Sequence, residues 1–163
     1  MTQIKSGEPP GTVLKWWRRL QRWPAGDRLF SLGLGWMAPY SATIGARVEE
    51  IEPGYARVTL RDRRRVRNHL RSIHAIALVN LGEIATGLAV LSMISADMRG
   101  IVLAIHADYL KKARGKMTAV AEFQLPNRLE DNTPCEVEAE LRDQADDVVA
   151  VVKATWLIGY RES

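Results

Sequence analysis

Glu83 is the residue of this sequence from which chemistry is most directly expected. It stands near the middle of an almost wholly apolar run, roughly Ala75 to Ala96, among Leu81, Ile84 and Leu88. A carboxylate in such surroundings loses the water that stabilises its charge. Its pKa should rise toward the range useful to a general base acting on water. Direct nucleophilic attack by the carboxylate is a second chemical use. A structural use also stands open, because Glu is seldom buried without a partner and a buried Glu–Arg pair would look the same in sequence. The start of the run offers a complementary group. A helix N-terminus carries free backbone N–H groups and the positive dipole end, both suited to an oxyanion. Ala75 can donate such an N–H, with less conformational freedom than Gly, and the bulky Ile76 beside it would narrow the site.

The other candidates have weaker signals. His74 precedes the apolar run and Asn68 lies six residues before it. A His at a helix start often serves as a cap, and an Asn between elements as a turn residue. His69 and His106 have no assignable role. The three His residues show no metal-ligand spacing with Cys135, so neither a metal nor another cofactor is expected. Cys135 is the single cysteine. It sits in an alternating pattern, which reads as a buried core thiol rather than a nucleophile, since reactive cysteines need an electropositive, partly open setting.

The formal charge of +4 gathers in Arg61, Arg63, Arg64, Arg65 and Arg67, and in Lys111, Lys112, Arg114 and Lys116. Such groups suit anionic partners or form a solvated basic surface. No zinc-finger spacing, RNP-like motif or helix-turn-helix pattern accompanies them, so nucleic acid is not an expected partner.

The elements that must position these residues follow from periodicity. Val13, Trp16, Trp17, Leu20 and Trp23 fall at helical spacing with Lys15, Arg18, Arg19 and Arg22 largely between them, predicting an amphipathic helix ending near Pro24. A basic helix rich in Trp could lie on an anionic membrane surface; packing over a core edge or a partner subunit is the commoner use. From Ile44 the period changes to two, and Pro53-Gly54 joins two strands into a hairpin. The run from Ala75 is long enough to cross a bilayer, yet Glu83 and Asn80 near its middle argue for a helix wrapped inside the fold, with no integral membrane segment. Strand character returns over Ile101 to Tyr109, Thr118 to Phe123, Cys135 to Arg142 and Val148 to Ile158. The expected class is α+β, an antiparallel sheet of about six strands wrapped around a long central helix, with an extra N-terminal amphipathic helix.

That order, with the segment Asn68-His69-Leu70-Arg71-Ser72-Ile73-His74-Ala75-Ile76 followed by Glu83, resembles the hotdog fold and in particular its PaaI-like acyl-CoA thioesterases. In those enzymes an Asn precedes a His by six residues and an acid follows that His by nine, spacings that Asn68, His74 and Glu83 match. Ala107-Asp108-Tyr109-Leu110-Lys111-Lys112-Ala113-Arg114-Gly115 is similar to the strand-and-turn signature after the helix. The resemblance spans roughly Ser41 to Tyr160, and it is closest to a group of uncharacterised domains. It divides the chain into an N-terminal helical extension (1–40) and a hotdog domain (41–163).

The resemblance implies thioester hydrolysis with Glu83 as the acid, Asn68 orienting the water or thioester, His74 placing the thioester carbonyl and the Ala75 N–H in the oxyanion site. Arg65 and Lys112 would take the phosphates of coenzyme A. It also implies a homodimer, with the option of a dimer of dimers, in which the acid comes from one subunit and the Asn and His from its neighbour. Two departures point the other way. The family carries Gly-Gly where this chain has Ala75-Ile76, and some members place Ser or Thr where it has Val102. A non-catalytic acyl-CoA or lipid-binding protein of the same fold is therefore the alternative, and a hydratase, whose paired Asp/His signature is absent, comes third. With one cysteine and no secretory signal pattern, a reducing cytoplasmic setting is the expected compartment.

Overall fold

The sheet begins with a hairpin that needs its glycine. In a computed structural model describing residues 11–126 and 130–161, β1 (Arg47–Glu52) and β2 (Tyr55–Leu60) are joined through Gly54 at φ +73°. A Cβ at Gly54 would lie 2.2 Å from the Phe123 carbonyl oxygen. The Gly54 N–H donates to Ser92 Oγ at 2.8 Å, which pins the turn to the end of the helix that follows.

That helix, α4 (Ala75–Met93), is apolar all round because it is surrounded. Thirteen of its nineteen residues are buried. The side chains of Leu81 and Leu88 are each worth about 2 kcal/mol on removal from water. Among the described residues it is one helix long and apolar enough to cross a membrane, and it forms the core of the domain. A Cβ at Gly82 would come within 2.5 Å of Val152 Cβ, so the absence of a side chain there lets helix and sheet touch.

The remaining strands are β3 (Met98–Tyr109), β4 (Met117–Glu122), β5 (Thr133–Arg142) and β6 (Val148–Tyr160). They complete a six-stranded antiparallel sheet in the order β1-β2-β4-β5-β6-β3. The expected class holds, as does the element order from β1 onward; α4 stops at Met93, three residues short of the run read from sequence. Cys135 lies buried on β5, where burial raises its thiol pKa and keeps it inert.

β3 is an edge strand with a bulge. Its pairing with β6 shifts between Val102 and Ala104, leaving Leu103 as the extra residue. Before the bulge, Gly100 and Val102 oppose Ile158 and Trp156; after it, Ile105 and Ala107 oppose Ala154 and Val152. These four β6 residues are buried, so the core-facing positions of β3 change from even to odd numbers at Leu103.

The N-terminal region departs from expectation. The first ten residues of the expected extension lie outside the described residues. Instead of one helix ending near Pro24, α1 (Thr12–Leu20) is followed by α2 (Gly26–Met37) and a single turn, α3 (Pro39–Ala42). α1 buries Leu14 and Trp17, while Trp16 and Trp23 are exposed. The stripe read from sequence thus held only in part, because α1 turns its Leu14–Trp17 edge inward, with Trp17 meeting Phe30 edge-on at 5.2 Å. α2 escaped detection because it is apolar on both sides. Its inner side is fixed to β1 by the Asp27–Arg47 ion pair and by the Val48 N–H donating to Ser31 Oγ at 3.0 Å.

Candidate active site at the start of the central helix

The loop before α4 is a small hydrogen-bonded unit. Asn68 Oδ1 accepts from the N–H groups of Leu70 and Ser72 (2.9 and 3.3 Å) and from Ser72 Oγ (3.2 Å). Arg71 completes the turn at φ +56°. The oxygen of Asn68 is thus occupied in shaping the loop, which leaves its amide N–H₂ as the group able to reach a ligand.

His74 caps α4. Its Nδ1 accepts the Ile76 N–H at 3.1 Å, and its carbonyl accepts from Ala77 and Leu78. With Nδ1 an acceptor, the neutral ring carries its proton on Nε2, and the side chain is exposed. The cap uses the Ile76 N–H. The Ala75 N–H has no partner among the described residues and is the free donor at the helix start. Ile76 projects outward, half exposed, rather than into the core.

Two backbone bonds bring the basic segments to the same place. The His74 N–H donates to the Val66 carbonyl and the Ile73 N–H to the Ala113 carbonyl, at 2.8 and 2.9 Å. Arg65 and Lys112 are the residues immediately before those two acceptors, and both are exposed. Within the two clusters, Lys111 is held by Asp143 and Asp147, Lys116 by Glu49, and Arg67 by Asp62. Arg65 and Lys112 have no carboxylate within ion-pair distance among the described residues.

Tyr109 has a place here that the sequence signature did not assign. Its hydroxyl donates to the Ala75 carbonyl at 3.3 Å. Burial raises its pKa, so it remains a donor. The bulge makes this contact possible: with the core-facing positions moved to odd numbers, Tyr109 falls on the helix side of β3. Ile105 and Tyr109 nevertheless remain substantially exposed, because α4 does not cover this end of the sheet.

Glu83 stands apart from this cluster. Burial among apolar neighbours raises its pKa above the usual carboxylate range, and no cation or hydrogen-bond donor offsets that among the described residues. The buried Glu–Arg pair left open by the sequence is absent there. Asn80, one turn earlier, is buried with no hydrogen bond from its side chain to a described residue. Thr86, one turn later, is occupied, donating to the Glu83 carbonyl and accepting from Trp156 Nε1. Nine residues of unbroken helix separate His74 from Glu83, a rise of about 14 Å at roughly 1.5 Å per residue. Across that span the two side chains of one chain do not contact each other. His106 is on the exposed part of β3, 3.1 Å from Asp108, and His69 is at the tip of the loop, also exposed.

Comparison with known proteins places this geometry in a family. No curated protein matches the sequence. A crystal structure from structural genomics shares 33% identity over 91% of this chain and 99% of its own, with a TM-score of 0.77. A thioesterase from Haemophilus influenzae superposes at a TM-score of 0.65 with 20% identity, over 74% of this chain and 82% of its own. A variant of a thioesterase enzyme from Staphylococcus aureus does so at 0.66 with 19% identity, over 74% and 98%. At those identities the last two likenesses carry the hotdog fold. Residues 26–158 match the family described as Domain of unknown function (DUF4442), and the chain belongs to that family.

Proposed function

We propose that the protein is an acyl-CoA thioesterase in which Glu83 activates the water that attacks the thioester carbonyl. The observation that carries this reading is the Glu83 carboxylate itself, desolvated, unpaired among the described residues and placed on the central helix. Such a group has a cost in folding and no structural partner to justify it. The developing oxyanion would be met by the Ala75 N–H at the positive end of α4, with His74 Nε2–H and the Asn68 amide as further donors. Thioesterases among the structures with the same fold support the substrate class.

The rise along α4 supports a site in which Glu83 works with His74 and Asn68 of a second copy. β3 offers the edge for that pairing, with Ile101, Leu103 and Ile105 exposed along it. The functional unit is accordingly a homodimer.

The direct test is a panel of short, long and aryl acyl-CoA thioesters with a thiol-reactive dye reporting release. Turnover on at least one class is expected. Binding without turnover across the panel would instead establish the non-catalytic acyl-CoA carrier, the reading favoured by the loss of the Ile76 N–H to the His74 cap and by Val102, which has no hydroxyl to offer.

Arg65 and Lys112 are assigned to the phosphates of coenzyme A, remote from the reacting carbonyl. Neutralising both should raise KM for acyl-CoA more than it lowers kcat, since contacts to a non-reacting part of the substrate act equally on ground and transition states. Loss of kcat at unchanged KM would remove them from this role.

A further inference from the structure

The outer face of α2 is apolar where a solvent-facing helix should be polar. Residues turn by about 100° each along a helix, so the inner side of α2 centres on Asp27, Phe30, Ser31 and Leu34, all directed at β1 and the core. Leu29, Leu32 and Trp36 lie opposite, and Met37, the last residue of α2, stands on the flank between the two sides. Trp36 is 87% exposed, Met37 80% and Leu32 72%. Trp16 and Trp23, from α1 and the turn after it, are also exposed in the same helical hairpin.

Charge decides what such a face fits. Between residues 11 and 46 the cations are Lys15, Arg18, Arg19, Arg22 and Arg28, all exposed, and the one acid is Asp27, already occupied by Arg47. Arg18 reaches Glu52 only at 3.8 Å, with both side chains largely in water. A second copy of the same face would set cations against cations, with Glu52 beside Arg18 the one carboxylate paired to any of them among the described residues. α2 also packs on β1, at the other end of the strand order from β3. Trp at an interface, long aliphatic side chains and surrounding Arg and Lys match an anionic lipid surface, where rings and aliphatics enter the headgroup boundary and the cations meet phosphates.

We infer that the α1–α2 hairpin docks the protein peripherally on anionic lipid bilayers, through Leu29, Leu32, Trp36 and Met37 with the α1 cations around them. The site at the start of α4 is not part of this contact, so the inference stands apart from the proposed activity.

Co-sedimentation of the full chain with vesicles tests it, comparing phosphatidylcholine alone with phosphatidylcholine containing about 30% phosphatidylglycerol. Binding to the anionic vesicles, weakened by salt, and little binding to the neutral ones are expected. The double substitution Leu32→Ser/Trp36→Ser should reduce binding by about tenfold or more. Arg19→Gln/Arg22→Gln, on the other helix, should reduce it by about 25-fold, at roughly fivefold per cation near the surface. Thermal melting of both variants confirms the fold, since all four side chains point away from the core. Absence of binding to anionic vesicles at low salt would overturn the inference, as would unchanged binding by folded Leu32→Ser/Trp36→Ser. A smaller oligomer for that variant in sedimentation velocity, with wild-type vesicle binding, would also overturn it and assign the face to contact between copies.

Discussion

Replacing Glu83 by Gln should lower kcat by about 10²-fold or more while leaving the protein at least as stable as the wild type at neutral pH. The two halves of that result come from the same physical fact. Burial holds the carboxyl above the usual carboxylate range with no cation among the described residues to offset the cost. Between the pKa of the unfolded chain and this raised value, the folded protein keeps a proton that the unfolded chain has lost. Stability contributed by the neutral acid is therefore full below the unfolded value and is lost as pH rises through that window. Gln has no charge to bury, so the variant escapes the loss and should melt at an equal or higher temperature above the window. A buried Glu–Arg pair would give the opposite sign, a loss of about 3–5 kcal/mol on breaking it. Turnover in the wild type should likewise rise as pH climbs through the raised pKa, as the base loses its proton. Melting and turnover of the one variant, measured across pH, check both; unchanged turnover would take Glu83 out of the mechanism.

Two inactive variants should restore activity to one another when mixed. Glu83→Gln removes the base, and His74→Asn removes the Nε2–H while supplying another side chain able to cap α4. If the base and the His-bearing helix start of each site come from different chains, a heterodimer of the two variants holds one site with both changes and one with neither. Random exchange of equal amounts gives heterodimers as half of all dimers, each with one of two sites intact, or about one quarter of wild-type activity. Denaturing and refolding the variants together, then assaying against each refolded alone, measures this. A mixture no more active than its parts would show that Glu83 and His74 do not serve one site built from two chains, and would sink the shared site. A folded monomer at micromolar concentration would do the same.

The parts of the fold that sequence made legible are those where one period dominates. The β1–β2 hairpin with Pro53-Gly54, the apolar run of α4 and the alternation of β5 each carry a single pattern over several residues. α2 was not legible because Phe30 and Leu34 on one side and Leu32 and Trp36 on the other leave no polar face to set the period. At the site, Glu83 announced itself as a charge in an apolar run, and spacing to His74 and Asn68 came through the family resemblance. The distribution of hydrogen bonds did not: that Asn68 spends its oxygen on its own loop, and His74 its Nδ1 on Ile76, depends on a backbone turn at Arg71 that no residue type there demands. Tyr109 was hidden by the bulge, since Ile101, Leu103 and Ile105 alternate as if the strand were regular.

Leu103 therefore acts as a phase marker in the chain. The strand on its two sides runs half a period out of step, so the residue count between Val102 and Tyr109 is information in its own right, independent of which side chains fill those positions. Pairing the same residues with β6 as an unbroken ladder would keep the composition and the hydrophobic alternation and still exchange the two faces of everything from Ala104 onward, turning His106 and Asp108 inward and Tyr109 away from the helix, whereas loss of Leu103 itself would leave those faces as they are. Residue count and bulge are tied along this strand, and neither changes alone without moving Tyr109 across the sheet.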